Sequence, residues 1–259
     1  MGAFFYCKKQ YSLWYNKLMK EINSKDNRQY KFLKSLLQKK HRQEHKIFSV
    51  EGEVVLREIK EEPKYLLCSK SYYEEHRPEN VTVVADNLFK GLCDTKTPQG
   101  IIGYFDFVEK NLDTLPEGMY VYLDGLQDPG NVGTIIRTAD ALSMKGVIFS
   151  PDTADIYSPK AVRSTMASLF RVNLYRAGTE DLFKLKERFT LYTTHLKGVR
   201  ALNEVNFASN SILILGNEAG GVREEVLNIS DENIFIPMKE GTDSLNVAIA
   251  GGILMYNMR

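Results

Sequence analysis

From residue 119 onward, short apolar runs alternate with stretches of helical periodicity, and this alternation constrains the chain more than any other feature. Strand cores fall at residues 120–123, 147–149, 191–194, 212–215 and 234–236. Helical patterns lie between and after them, at 131–143, 159–169, 181–188, 223–227 and 244–258. Continuous apolar strands separated by helices predict a largely parallel sheet covered on both faces. The preceding stretch 111–118, Asn-Leu-Asp-Thr-Leu-Pro-Glu-Gly, is a linker by composition. Upstream of it, residues 26–46 read as one amphipathic helix, with Tyr30, Leu33, Leu36 and Leu37 at helical spacing. Short strands at 47–50, 64–68, 81–85 and 100–105, with a helix starting at Glu53, complete a smaller α/β domain. The expected division is an N-terminal extension (1–24), a small domain (25–108), a linker (109–118) and a larger domain (119–259).

Charge is unevenly spread. The net charge of the chain is +1, yet the first 50 residues hold 12 Lys and Arg against 3 Asp and Glu. Arg28, Lys31, Lys34, Lys39, Lys40, Arg42 and Lys46 give the 26–46 helix a basic side, which suits a polyanionic partner or a solvated lysine-rich face. Cys7, Cys68 and Cys93 are too few and too far apart for a disulfide framework or a paired metal site, and a reducing cytoplasm is expected. No apolar run is long enough for a membrane span. Residues 1–18 lack the continuous apolar stretch of a signal peptide; they are expected to be poorly ordered or to precede the natural start, for which Met19 is the candidate. His41 and His45 have ligand spacing but no evident further ligand, so no metal is expected.

Three loops that follow strands carry the chemical signal. In open parallel sheets, functional loops leave the carboxyl ends of strands. The first, 124–137, is Asp-Gly-Leu-Gln-Asp-Pro-Gly-Asn-Val-Gly-Thr-Ile-Ile-Arg. Here Asn131 is placed to cap a helix, and Gly133 and Arg137 share a face that leaves room for a ligand. The second, 215–221, is Leu-Gly-Asn-Glu-Ala-Gly-Gly, open to close backbone approach. The third runs from Ile236 to Val247, where Asp243 or Ser244 is the expected cap of a final helix rich in Ala and Gly. No G-x-G-x-x-G follows the first strand, which argues against an ordinary dinucleotide-binding domain.

Taken in order, these loops resemble the motifs of the SpoU (TrmH-like) family of RNA ribose 2′-O-methyltransferases, in the SPOUT superfamily. The match rests on Asn131-x-Gly133-x3-Arg137-Thr138-Ala139, on Gly216-Asn217-Glu218, and on Ile236-Pro237-Met238 with Ser244-Leu245-Asn246-Val247. Residues 158–163 and 169–172 are similar to the family's intervening helix region. The basic helix followed by Phe48-Ser49-Val50-Glu51-Gly52 resembles the entry to the family's substrate-binding domain, which is similar to ribosomal protein L30e. Two positions depart from the pattern. Ala219 stands where the family usually has glycine, and Ser143 stands where a helix-ending glycine is common.

The resemblance implies an α/β fold with a parallel-sheet SPOUT domain, closed by a deep trefoil knot, behind an L30e-like RNA-binding domain. It implies an EC 2.1.1 enzyme that transfers a methyl group from S-adenosylmethionine to a ribose 2′-hydroxyl. Carried onto this chain, the cofactor would be held by Thr194, His195, Leu196, Leu215, Gly216, Ile236, Met238 and Leu245, with His195 in a packing or backbone role. Arg137 would be the key catalytic residue, acting with a phosphate of the target, while Asn131, Glu218, Ser244 and Asn246 orient substrate and loops. RNA would be met by Arg28, Lys31, Lys34, Lys39, Lys40, Arg42 and Arg171, the last either reaching a partner's site in a homodimer or standing as a strand-flanking surface arginine. A 23S ribosomal RNA substrate is preferred to transfer RNA. Two further alternatives are a non-catalytic RNA-binding protein with a degenerate cofactor site and a SPOUT enzyme that methylates a base nitrogen.

Overall fold

The computed structural model describes residues 20–195, 199–241 and 244–259. Its first strand, β1 (Glu21–Ile22), pairs in parallel with β4 (Thr82–Val84), so part of the expected extension belongs to the first sheet. The long helix expected over 26–46 is two. Asn27 caps α1 (Arg28–Ser35) by accepting from Tyr30 N at 3.1 Å. After it the amides of Leu36, Leu37 and Gln38 bond back three residues, and α2 (Lys39–His45) begins afresh. Arg42 holds this break, its Nη1 donating to the carbonyls of Leu36 and Leu37 at 2.8 and 2.6 Å. The small sheet is completed by β2 (Ile47–Glu51), β3 (Tyr65–Ser69) and β5 (Ile101–Asp106), in the order β1-β4-β3-β5-β2. Helices α3 (Glu53–Glu58), α4 (Lys70–His76) and α5 (Asp86–Phe89) connect its strands.

The second sheet has eight strands, all parallel. They are β6 (Glu109–Lys110), β7 (Met119–Asp124), β8 (Gly146–Phe149), β9 (Asn173–Arg176), β10 (Thr190–Thr194), β11 (Arg200–Ala201), β12 (Ser211–Gly216) and β13 (Glu232–Phe235). The short strands β6, β9 and β11 went unread in the sequence, and β6 falls within the expected linker. Along β7 the residues alternate between two apolar layers: Val121 and Leu123 enter one, Tyr120 and Tyr122 the other. A strand buried on both faces reads as a continuous apolar run, which is why these strands were legible. The covering helices are α6 (Pro129–Ala141), α7 (Pro159–Thr165), α8 (Thr179–Leu185), α9 (Glu224–Ile229) and α10 (Val247–Asn257). Strand order is β11-β13-β10-β12-β7-β8-β9-β6. The chain thus builds outward in one direction from β7 and returns to build on its other side through β12. The crevice at the carboxyl ends of β7 and β12 is the switch point where such sheets bind ligands.

The two domains share one apolar cluster. Phe48 and Phe105 of the small sheet pack with Tyr157 and Phe170 of the large domain, with Phe48–Tyr157 and Phe105–Phe170 centroids 4.8 and 4.9 Å apart. Just past the end of helix α6, after its C-cap Leu142, Ser143 has a φ of 59° in the left-handed region. Glycine adopts that conformation without the Cβ clash. Ser143→Gly is therefore expected to stabilise the fold by about 1 kcal/mol. Thermal unfolding checks this: the midpoint should rise, and an unchanged or lowered midpoint counts against the strain.

Candidate active site

At the switch point, each loop is anchored by a buried or bonded polar group. Asp124 ends β7 fully buried and accepts from Arg223 N at 2.9 Å and Arg223 Nε at 2.7 Å. The loop after β12 doubles back, Asn217 and Gly221 exchanging backbone hydrogen bonds of 2.9 Å. A Cβ on Gly216 would lie 2.2 Å from Gly221 C and Val222 N, so glycine is needed there for the chain's own return. Asn217 accepts from the amides of Ala219 and Gly220 and donates through Nδ2 to Gly125 O at 2.7 Å. Ala219 keeps a negative φ, so the methyl that departs from the family pattern is accommodated without strain.

This loop carries Glu218 onto the loop after β7. Its carboxylate accepts from Gln127 N (3.0 Å), Asp128 N (3.2 Å) and Asn131 Nδ2 (3.0 Å). Asn131 Oδ1 in turn accepts from Asn246 Nδ2 at 3.1 Å. Asn246 Oδ1 caps α10 by accepting from Ala248 N and Ile249 N. A carboxylate and two amides thereby join all three loops. Partial burial pushes the Glu218 carboxyl up, but hydrogen bonds from Asn131, the Gln127 amide, its own amide and the Asp128 amide outweigh that and hold it below its usual range. Asp128 is also held low, first by Lys160, whose Nζ lies 2.6 Å from its Oδ2.

The structure corrects several expectations. Asp128, not Asn131, caps α6, accepting from Asn131 N at 3.0 Å; this frees the Asn131 side chain for Glu218 and Asn246. Asn246 caps the last helix in place of Ser244, while Asp243 lies outside the described residues. Gly133 does not open space for a ligand: it is buried, and a Cβ there would meet Ala161 O at 2.5 Å and Ser164 Cβ at 2.6 Å, so it serves the approach of α7 to α6. The Arg137 side chain is exposed and makes no hydrogen bond or ion pair with any described residue. Ser244 is exposed beside the third loop's cap. Asp124, Gln127 and Arg223 were missed as site-forming residues, and Asn217, read within its motif, was given no role of its own; an Asp at a strand's end and an Arg six residues after Asn217 give no local signal.

Four of the cofactor candidates, Thr194, Leu215, Gly216 and Ile236, lie at the carboxyl ends of three adjacent strands. Thr193 is in register with Ile214 and Thr194 with Ile234, so Thr194 and Leu215 lie level on neighbouring strands, with Gly216 one residue and Ile236 two residues further along. Thr194 Oγ1 donates to Ile214 O at 3.1 Å, and the exposed His195 donates its amide to Ile234 O. The Leu215 side chain is buried against α10, where a Cβ on Gly251 would meet its Cδ1. Met238 and Leu245 are 36% and 37% exposed. Leu196 lies outside the described residues. Among the RNA candidates, Arg28, Lys31, Lys34, Lys39 and Lys40 are exposed. Arg42 is not available to RNA: it is 4% exposed and paired with Asp155. Arg171 is engaged within its own chain, by Asp140 at 2.7 Å, Glu58 and Ser168. His41 and His45 gain Glu44 as a neighbour, with ligand atoms within 4.8 Å, but Lys39, Lys40 and Lys46 flank this exposed group and oppose a cation.

Residues 118–256 match the sequence model of the SpoU rRNA Methylase family. The chain belongs to that family. Residues 27–103 match the MRM3-like substrate binding domain. The chain is 32% identical over 249 residues to the 23S rRNA (guanosine(2553)-2′-O)-methyltransferase RlmP of Bacillus subtilis, covering 93% of this chain and all of that protein. Among solved structures, the AdoMet-bound rRNA methyltransferase of Sinorhizobium meliloti superposes with a TM-score of 0.82 at 32% identity, covering 93% of this chain and 97% of the other. The SpoU methyltransferase AviRb of Streptomyces viridochromogenes, in complex with AdoMet, superposes at 0.78 with 26% identity, covering 90% and 97%. No helix among the described residues is long and apolar enough to cross a membrane.

The lowered carboxyl of Glu218 sets a pH dependence. A depressed carboxylate contributes stability that is full above its unfolded value, here near 4.5, and is lost as pH falls through the folded value. Glu218→Gln should cost about 1 kcal/mol at neutral pH, a modest figure because the residue is exposed. It should also remove the Glu218 share of the acid-side loss. Urea titrations of both proteins from neutral pH to below 4.5 test this; parallel curves would refute the assignment.

Proposed function

We propose that this SpoU-family chain transfers a methyl group from S-adenosylmethionine to a ribose 2′-hydroxyl of ribosomal RNA. The observation that carries the reading is the Glu218–Asn131–Asn246 chain at the switch point, nearly two turns of α6 from the unpaired guanidinium of Arg137. A degenerate, non-catalytic site would not be expected to keep this bonding intact. The rRNA substrate is supported by the names of the relatives and by the match to a substrate-binding domain. The same substrate, with free thiols at Cys68 and Cys93, supports work in the cytoplasm.

The residues fit the cofactor. The ends of β10, β12 and β13 offer backbone groups, and Met238 and Leu245 expose apolar surface suited to a flat ring. Open space surrounds the Cβ positions of Gly220, Gly221 and Gly241. When bound, the cofactor supplies an electrophilic methyl on a sulfonium. The chain's work is orientation and charge. Arg137 grips a phosphate beside the target ribose as a bidentate fork and stabilises negative charge developing on the 2′-oxygen. A guanidinium does not titrate near neutral pH, so the hydroxyl proton leaves to that phosphate rather than to Arg137. Glu218 is a poor base as well, its carboxylate already filled by three donors and held low. Its role with Asn131 and Asn246 is to hold the loops in one arrangement, with the exposed Ser244 left to orient substrate.

Two finer features belong to the same reading. Helix α10 follows β13 yet packs on α6 and β12 nearer the middle of the sheet, where Gly251 admits the Leu215 side chain. This return path supports a threaded C-terminus, the deep trefoil knot. Helix α10 is apolar nearly all round, but Ile249, Ile253 and Tyr256 are 58%, 37% and 67% exposed. A helix of that kind is normally buried, which supports a homodimer formed by a second copy covering this stripe.

Arg137→Ala should lower methyl transfer by at least about a hundredfold while leaving cofactor affinity within about twofold. Tritium transfer to unmodified 23S and transfer RNA, followed by nucleoside analysis, tests both claims. Label in a 2′-O-methyl nucleoside of rRNA confirms the reading; label on a base or on transfer RNA alone replaces it. Ile253→Asp should shift the protein from dimer to monomer in sedimentation; a wild type already monomeric at micromolar concentration would sink the dimer.

A further inference from the structure

The buried ion pair between Arg42 and Asp155 joins the two domains. Arg42 Nε and Nη2 donate to Asp155 Oδ2 at 3.1 and 2.7 Å, with both side chains nearly sealed from solvent at 4% and 6% exposure. The fork is held on its own domain by the Leu36 and Leu37 carbonyls, so it arrives already aimed. On the far side, Asp155 Oδ1 accepts from Tyr157 N at 3.0 Å. Tyr157 stacks on Phe107 at 3.7 Å, packs on Phe48, and accepts from Val108 N at the join of the domains. One residue before Asp155, Ala154 N donates to Leu126 O at 2.8 Å. Leu126 precedes Gln127, whose amide binds Glu218. A continuous bonded path therefore runs from the basic helices to the loop that carries Asn131 and Arg137.

Such a pair adds little net stability, because desolvating two charges cancels most of their attraction. Separating them inside the interface is costly, since each would be left buried and unpaired. Its effect is selective: it penalises every domain angle but one. Two other ion pairs between the domains, Arg163–Asp94 and Arg171–Glu58, have side chains 38–48% exposed and exert no comparable selection. We infer that Arg42 and Asp155 are positioning residues that fix the angle of the N-terminal domain to the catalytic loops, so that RNA held on α1 and α2 reaches Arg137 in one register. The inference rests on the proposed rRNA methyltransferase reading.

The test uses the full chain, S-adenosylmethionine and an unmodified 23S rRNA transcript. Arg42→Lys keeps the charge but not the fork, and Asp155→Asn keeps the shape but not the charge. Each should raise KM for the transcript about tenfold, with kcat and cofactor Kd within about twofold of wild type. The double variant should be no worse than either single change, because the two act as one unit. Amide hydrogen exchange should quicken at residues 105–108 and 154–158 and stay unchanged in α10. Unchanged KM in both variants overturns the inference, as does a joint fall in kcat and cofactor affinity, which marks general damage. If the wild type methylates no rRNA, the functional reading fails separately. The exchange data then decide the domain role: faster exchange supports it, and unchanged exchange overturns it.

Discussion

The arrangement of the active site depends on Asp128 taking the cap of α6. The Asp128 carboxylate accepts from the backbone amide of Asn131, three residues along, so Asn131 is not itself the cap. With its backbone amide satisfied, Asn131 turns its side chain outward and uses both ends, donating to Glu218 and accepting from Asn246. Asn246 also serves twice, as cap of α10 and as donor to Asn131. Two helix starts and a strand-end loop are thus coupled through a single primary amide. Loss of the Asp128 cap would return Asn131 to a local bond and uncouple the loops, although Asp128 touches neither Asn246 nor Arg137 directly.

The sheet explains why these groups meet. Parallel strands require crossover connections, so neighbours in space are distant in sequence, and β7 and β12 pair across nearly a hundred residues. Reversal of building direction at that pair leaves a crevice between loops that diverge to opposite sides. Buried Asp124 then fastens the base of one loop to Arg223 of the other. The site is built from rigid strand ends rather than from free loops, which suits a reaction that demands alignment more than acid–base power.

Much of this was legible in the sequence because it has local causes. Two-sided apolar strands, glycine-bearing loops after them and the order of the motifs each leave a mark within about ten residues. What was misread has partners elsewhere. Arg42 lies on a basic helix and looks solvated, yet its counter-charge, Asp155, is over a hundred residues away. The same arginine breaks the helix that periodicity drew as continuous, because Leu36 and Leu37 keep the apolar spacing while their carbonyls turn to the guanidinium. Gly133 looked like ligand space because its helix neighbour α7 is invisible to a one-helix projection. The caps of α6 and α10 were each displaced by two or three residues, a small error in position that reversed the role of Asn131.

The contact between domains gives the N-terminal basic surface its meaning. Exposed lysines on a freely jointed domain would raise local RNA concentration and little else, since phosphate contacts carry no positional information without a fixed frame. Here the frame exists. Phe48 and Phe105 sit in the same apolar cluster as Tyr157 and Phe170, and the Arg42 fork closes one side of it. Aromatic packing alone tolerates sliding, because dispersion changes slowly with angle. A buried, directional ion pair does not. On the proposed reading, the two together would convert a sequence-blind electrostatic grip on RNA into a fixed distance and angle to Arg137.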